Sequence, residues 1–273
     1  MDHPAGRRAL NGSPIPNGLD ATLVLVRHGE SEYIVEGRFQ GQADSPLSAA
    51  GRTQAALVAA RLADLQRPPA LPIPIGPPRE IVHSPLARAA QTAEAIATAL
   101  EGVAAARPDA GFTEIGQGEW EGLHRDEIRA RFGARLDDWR SRPTEVWAPG
   151  GESLAGVAAR VRPALETALG RLSSATATQP ADPVAGYPGA RATGPWTAIV
   201  AHDGVFKVVL LTLFDLPLDR FWMWSFDLCG ITVVDLRAGR PVLRAHNLTE
   251  HLAPLQDAAA LAERQARETS GAL

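Results

Sequence analysis

Residues 23–31 read LVLVRHGES, four aliphatic side chains that run directly into an arginine, a histidine and a glycine. Both faces of an extended chain over Thr22–Val26 are therefore hydrophobic, the pattern of a central strand in a parallel sheet covered by helices on either side. Such a strand delivers whatever follows it to the carboxyl edge of the sheet, where ligands bind in open α/β folds. Arg27 and His28 stand at that point, and Gly29 permits the turn that leaves the His28 ring in the crevice.

Working outward, a second strand with two apolar faces spans Trp196–Ala201 and ends at His202. If the two strands are parallel, both imidazoles reach the same rim. Leu57, Val58, Leu62 and Leu65 line one face of a helix predicted over Leu47–Leu65. A short strand over Glu80–His83 is followed by Ser84-Pro85, read as an N-cap and first-position proline of a helix that runs to Leu100. Further helices are expected over Leu123–Arg140, Ser153–Leu172 and Val205–Phe214, with a closing strand pair at Ile231–Leu236 and Pro241–Ala245. Strands alternating with helices predict an α/β fold, a three-layer α/β/α sandwich with a mostly parallel central sheet.

Residues 1–20 read as a flexible tail rich in Gly, Pro and Asn, residues 21–252 as one domain, and residues 253–273 as a tail with an amphipathic helix over Ala258–Thr269. Six prolines make 67–78 a loop, and 173–195 is a low-complexity excursion inside the domain. The net charge of −4 suggests neither a nucleic-acid footprint nor a basic membrane surface. Lys207 is the only lysine, so nearly all basic charge is arginine, and Cys229 is the only cysteine, which excludes an internal disulfide. No apolar run follows the Arg7-Arg8 pair, and the longest, Val208–Phe214, is too short to span a bilayer. The expected setting is cytoplasmic.

Arg88 lies in the first turn of the Ser84-Pro85 helix, where a cation opposes the helix dipole by about 0.3–1 kcal/mol. A bound anion would offset that; a solvated arginine is the equally weighted alternative. Glu114, Glu119 and Glu121 crowd FTEIGQGEWEG, either as surface acidity or with one of them as a positioned proton donor. His83, His124, His246 and His251 show no metal-ligand spacing, and no metal or cofactor is expected.

Six segments in order, VRHGES (26–31), GRFQGQADSPLSAAGRTQA (37–55), SPLARAAQTAEAI (84–96), TEIGQGEWEG (113–122), PGGES (149–153) and VAHDG (200–204), resemble the histidine phosphatase superfamily in its phosphoglycerate-mutase-like branch. The resemblance covers Thr22–Leu252. It implies that His28 takes the phosphoryl group on a ring nitrogen, that Arg27 and Arg88 clamp the phosphate oxygens and that His202 is the second histidine of the pocket. Glu114 matches the family's acid/base, while Glu121 falls in the structural W-E-G turn and Glu119 on the surface. The implied substrate-binding set is Arg27, Gly29, Ser31, Arg88, His202 and Asp203.

The chemistry agrees with those roles. Phosphoryl transfer is mainly positioning and charge spreading over three oxygens, and guanidinium forks match those oxygens where ammonium groups would not. A departing alkoxide needs a proton, so Glu114 is expected to be partly desolvated. Two departures stand out. Ile34 occupies a position where many relatives carry a phosphate-binding Asn, and Asp203 replaces the first glycine of an H-G-G segment, which puts a carboxylate beside the anion site unless it pairs with a base.

Only Leu123–Pro149 separates the W-E-G turn from PGGES, a short interval that favours hydrolysis of a small phosphorylated metabolite over phosphoglycerate mutase activity. A non-catalytic phosphate-recognition module is the third reading. Trp147, Trp222 and Trp224 are candidates for an apolar pocket wall or for the core. Arg38, Arg140 and Arg142 are candidates for a second anion site or for solvated surface. Neither nucleic acid nor membrane is an expected partner.

Overall fold

β1 (Ala21–Arg27) is buried on both faces, and its alternation divides the protein's core in two. Leu23 and Leu25 meet the apolar stripes of α5 (Leu154–Ser173) and α6 (Asp203–Leu213) on one side. Val24 and Val26 meet α2 (Ala49–Ala63) and α3 (Ala87–Ala99) on the other. Each aliphatic side chain buried this way contributes about 1.5–3 kcal/mol of transfer free energy, which is why such a strand is stable only between two helical layers.

The computed structural model describes residues 12–100, 106–173, 183–184 and 187–255. Its six-stranded sheet has the order β3-β2-β6-β1-β7-β8, with β2 at Ile81–His83, β3 at Arg107–Pro108, β6 at Trp196–Ala201, β7 at Ile231–Arg237 and β8 at Arg240–Leu248. β1, β6, β2 and β3 are parallel; β7 runs antiparallel to β1, and β8 to β7. The result is the α/β fold expected, a mostly parallel sheet flanked by helices. The parallel register places Arg27 opposite Ala201 and Val200 opposite His83. The carboxyl ends of β2, β6 and β1 therefore lie side by side, and Ser84, His202 and His28 follow them in a row.

Several local expectations are corrected. α3 begins at Ala87 with Leu86 as its N-cap and no side-chain cap; the Ser84 hydroxyl accepts from the Leu86 amide at 3.3 Å, ahead of the helix, and lies against His202. Within the expected flexible tail, Ile15 and Leu19 are buried in the α5/α6 side of the core; two apolar residues and a turn closed by Leu19 N–H to the Pro16 carbonyl suffice to anchor residues 12–20. The proline-rich loop lacks regular structure but inserts Leu71 and Ile73 beside α2 and α3. The 173–195 excursion includes a strand pair, β4 (Pro183–Val184) with β5 (Tyr187–Arg191). The expected helix over Ala258–Thr269 lies outside the described residues.

Two further helices frame the rim. α1 (Glu32–Val35) follows the RHGES turn, and α4 (Arg125–Ser141), with a non-helical break at Phe132, follows the W-E-G turn. α2 docks end-on against that first turn. The Ser48 amide donates to the Glu30 carbonyl, and a Cβ on Gly51 would stand 1.9 Å from the same oxygen, so no larger residue fits there.

Candidate active site

His28 is 2% exposed. Its Nδ1 lies 2.6 Å from the Gly29 carbonyl, an acceptor only, so Nδ1 carries the proton and Nε2 presents a lone pair. Arg88 Nε donates to that Nε2 at 3.3 Å. Burial, then the Arg88 and Arg27 charges, holds the His28 imidazole well below the usual histidine range, so it is neutral at pH 7. A neutral ring, fixed in one tautomer and facing a guanidinium, has the form of a nitrogen nucleophile aimed at an anion.

Arg88 is fully buried. Nη2 donates to the Gly41 carbonyl at 2.8 Å and Nη1 to the Ala43 carbonyl at 3.0 Å. Desolvation pushes its pKa down to about 10, partly offset by Glu114 and Asp44, and the group keeps its charge at neutral pH. Arg27 donates to the Phe226 carbonyl through Nη1, while its Nε is buried with no protein partner. The His28 and His202 ring centroids are 5.0 Å apart. His202 Nε2 lies 2.7 Å from Ser84 Oγ, and its Nδ1 is buried and unpartnered. Arg27 Nε and His202 Nδ1 are thus polar groups that the fold leaves available beside His28.

The Glu114 carboxylate sits at the amino end of α6. Oε1 accepts from the Val205 and Ile115 amides, each at 2.9 Å, and Oε2 from the Gly204 amide at 3.2 Å. The helix dipole favours a negative charge at this end. A Cβ on Gly204 would come within 2.7 Å of Oε1, so a larger residue there would push the Glu114 carboxylate aside. Glu114 is therefore tied to the residues that immediately follow His202.

Other sequence candidates are placed differently. Ser31 caps α1 by accepting from the Ile34 amide and donates its hydroxyl to Gln40 at 2.6 Å. Asp203 is held by Lys207 and by the Phe226 amide. Glu121 accepts from the Gln42 and Gln117 amides, and Glu119 is exposed. Arg38, Arg140 and Arg142 are ion-paired with Glu36, Asp137 and Asp138 respectively. Trp224 packs on the core, Trp147 is half-buried, and Trp222 is 43% exposed in contact with Trp139 and Phe221. Ser84 is the residue that sequence reasoning missed at the site; its place directly after a third parallel strand was the available signal. Among the described residues, no group of three or more His, Cys, Asp or Glu side chains is arranged to hold a metal ion, and no helix is long and apolar enough to cross a membrane.

Residues 23–249 match the sequence profile of the histidine phosphatase superfamily (branch 1). The chain belongs to this superfamily. It is 30% identical to phosphoserine phosphatase 1 of Hydrogenobacter thermophilus over 84% of this chain and 93% of the relative. It is 37% identical to a glucosyl-3-phosphoglycerate phosphatase of Mycobacterium tuberculosis over 71% and 76%. A structure of mycobacterial glucosyl-3-phosphoglycerate phosphatase with VO3 superposes with a TM-score of 0.64 at 32% identity, over 84% of this chain and 99% of that one. A match to a 2,3-bisphosphoglycerate-dependent phosphoglycerate mutase from Azorhizobium caulinodans spans only 53% of this chain. With relatives named as phosphatases over most of its length, the chain is an enzyme of the phosphatase class.

The buried imidazoles set a pH dependence of stability. Both His28 and His202 have pKa values well below 6.5 in the folded protein, and burial brings His251 down to about 4. The unfolded chain therefore binds more protons than the native one below about pH 6.5. The stabilisation is present above that pH and is lost as pH falls toward the folded-state values, by about 1.4 kcal/mol per pH unit for each histidine titrating only in the unfolded state. Urea midpoints should be flat from pH 8 to 7 and fall steadily from 6.5 to 4.5; a midpoint that rises on acidification would contradict the buried neutral assignment.

Proposed function

We propose that this chain hydrolyses a small phosphorylated metabolite by two in-line transfers through a phosphohistidine on His28, without a metal. The observation that carries the reading is the His28 Nε2 lone pair, left free of a proton by the Gly29 contact and faced by the Arg88 guanidinium. Nε2 attacks phosphorus and the ester P–O bond breaks. Arg27 and Arg88 balance charge on the phosphoryl oxygens, and His202 donates from its second nitrogen. The leaving alkoxide takes a proton from Glu114, which must be in its acid form for that step; the negative charge of the bound phosphate favours that form against the amides of α6. The resulting carboxylate then removes a proton from water, which attacks the phosphohistidine, releases phosphate and restores His28.

Hydrolysis is favoured over mutase activity because the interval after the W-E-G turn holds α4 and little else, and because the phosphatase relatives match a larger share of the chain. A carboxylate left unbalanced at Asp203 would favour a non-catalytic phosphate-recognition module, and Lys207 supplies the balancing base. Phosphoserine and glucosyl-3-phosphoglycerate, named for the relatives, are the first substrates to test beside p-nitrophenyl phosphate. The enzyme should release inorganic phosphate from at least one of them. Given 3-phosphoglycerate with a bisphosphoglycerate primer, it should form no 2-phosphoglycerate; accumulation of that isomer without free phosphate would make it a mutase.

A further inference from the structure

The chain's single lysine is buried one helical turn from the site. Lys207, with its side chain 6% exposed, pairs with Asp203 at 2.7 Å. Its Nζ also lies 5.0 Å from the Trp222 ring centre and 5.3 Å from that of Phe221. Asp203 Oδ1 accepts from the Phe226 amide at 3.0 Å, and the carbonyl of the same Phe226 accepts from Arg27 Nη1. The Phe226 ring is buried against Phe206 and His246 at 5.3 and 5.0 Å, which fixes its side chain and leaves the orientation of its main chain to these hydrogen bonds. Both Asp203 oxygens are thus engaged away from the anion site. We propose that Asp203 and Lys207 are positioning residues, which act through the Phe226 main chain to set the Arg27 guanidinium in its phosphate-binding orientation.

The physical case is continuity. A buried ammonium is tolerated when a carboxylate satisfies it and that carboxylate's other lone pairs find donors, a condition met by the partly exposed Asp203 with the Phe226 amide. Arg27 has one strong tether on this side, the Phe226 carbonyl, and its Nε is otherwise unpartnered. If Asp203 releases the Phe226 amide, the main chain on both sides of Phe226 and the tether with it can turn, and a displacement near 1 Å of a group that binds the reacting phosphate can reduce the rate about 100-fold.

The inference rests on the phosphatase reading and is tested separately from it. In the full-length enzyme, Lys207→Met is made alone and together with Arg27→Ala, and inorganic phosphate affinity is measured by calorimetry alongside kcat. With Arg27 present, Lys207→Met should weaken phosphate binding and lower kcat by about 10- to 100-fold, and Lys207→Arg should restore most of both. In the Arg27→Ala background, Lys207→Met should change phosphate affinity less than about 2-fold, because effects routed through one group do not add. Equal losses in both backgrounds, or no loss with Arg27 present, overturn the proposal and leave the pair a purely structural one. Should Lys207→Met fail to fold, the Asp203→Ala/Lys207→Met pair, which buries no unmatched charge and offers the Phe226 amide no acceptor, enters the same cycle with the same criteria. A His28→Ala control that loses turnover keeps the phosphatase reading in place even if the cycle shows no coupling; one that retains turnover removes both.

Discussion

His28→Ala should lower phosphomonoesterase turnover by about 1000-fold or more. The substitution removes the only nitrogen that the arrangement presents unprotonated to Arg88, so no covalent intermediate can form there. Turnover alone does not distinguish loss of a nucleophile from collapse of the pocket, since Arg88 Nε also loses its acceptor, at a cost of about 1–3 kcal/mol for a buried group. The decisive measurement is the phosphoenzyme. Wild-type protein mixed with radiolabelled substrate and quenched in alkali should retain label on the chain, and His28→Ala should retain none while keeping a cooperative thermal transition. Label that survives the substitution, for instance on His202, would move the nucleophile to another ring and undo the assigned order of events.

Much of this site was legible because it is built at strand ends. An apolar run on both faces predicts a central strand, and a central parallel strand delivers its next residue to the rim; that logic brings His28 and His202 to one edge, where their rings lie 5.0 Å apart. Arg88 was legible as a cation set unfavourably in a first helical turn, and its carbonyl partners on Gly41 and Ala43 explain how the position is tolerated. What local pattern could not show was competition for a side chain from far along the sequence. Ser84 has the identity and position of an N-cap and still accepts from the Leu86 amide, yet its hydroxyl also lies 2.7 Å from His202, 118 residues away, and α3 starts later. β3, two residues long, carries no periodicity to read. The Asp203–Lys207 pair has the i,i+4 spacing of a helical ion pair. Its consequence for Arg27 depends on Phe226, and no spacing rule connects those three.

Glu114→Gln should give a loss that depends on the leaving group, and this dependence separates an acid/base role from a structural one. Three backbone amides converge on the two carboxylate oxygens. A glutamine offers one acceptor oxygen, so in either orientation its NH2 faces an N–H, costing about 1–3 kcal/mol of stability. That penalty is the same for every substrate; the catalytic loss is not. An alkyl phosphate expels a strongly basic alkoxide and should lose about 100- to 10,000-fold in kcat. p-Nitrophenolate leaves without a proton, so His28 should still be phosphorylated quickly by p-nitrophenyl phosphate. Hydrolysis of the phosphohistidine then lacks its base, and stopped-flow traces should show a burst of p-nitrophenolate, near one equivalent per enzyme, followed by slow turnover. Equal losses on both substrates with no burst would mean that Glu114 shapes the amino end of α6 and that the proton comes from elsewhere.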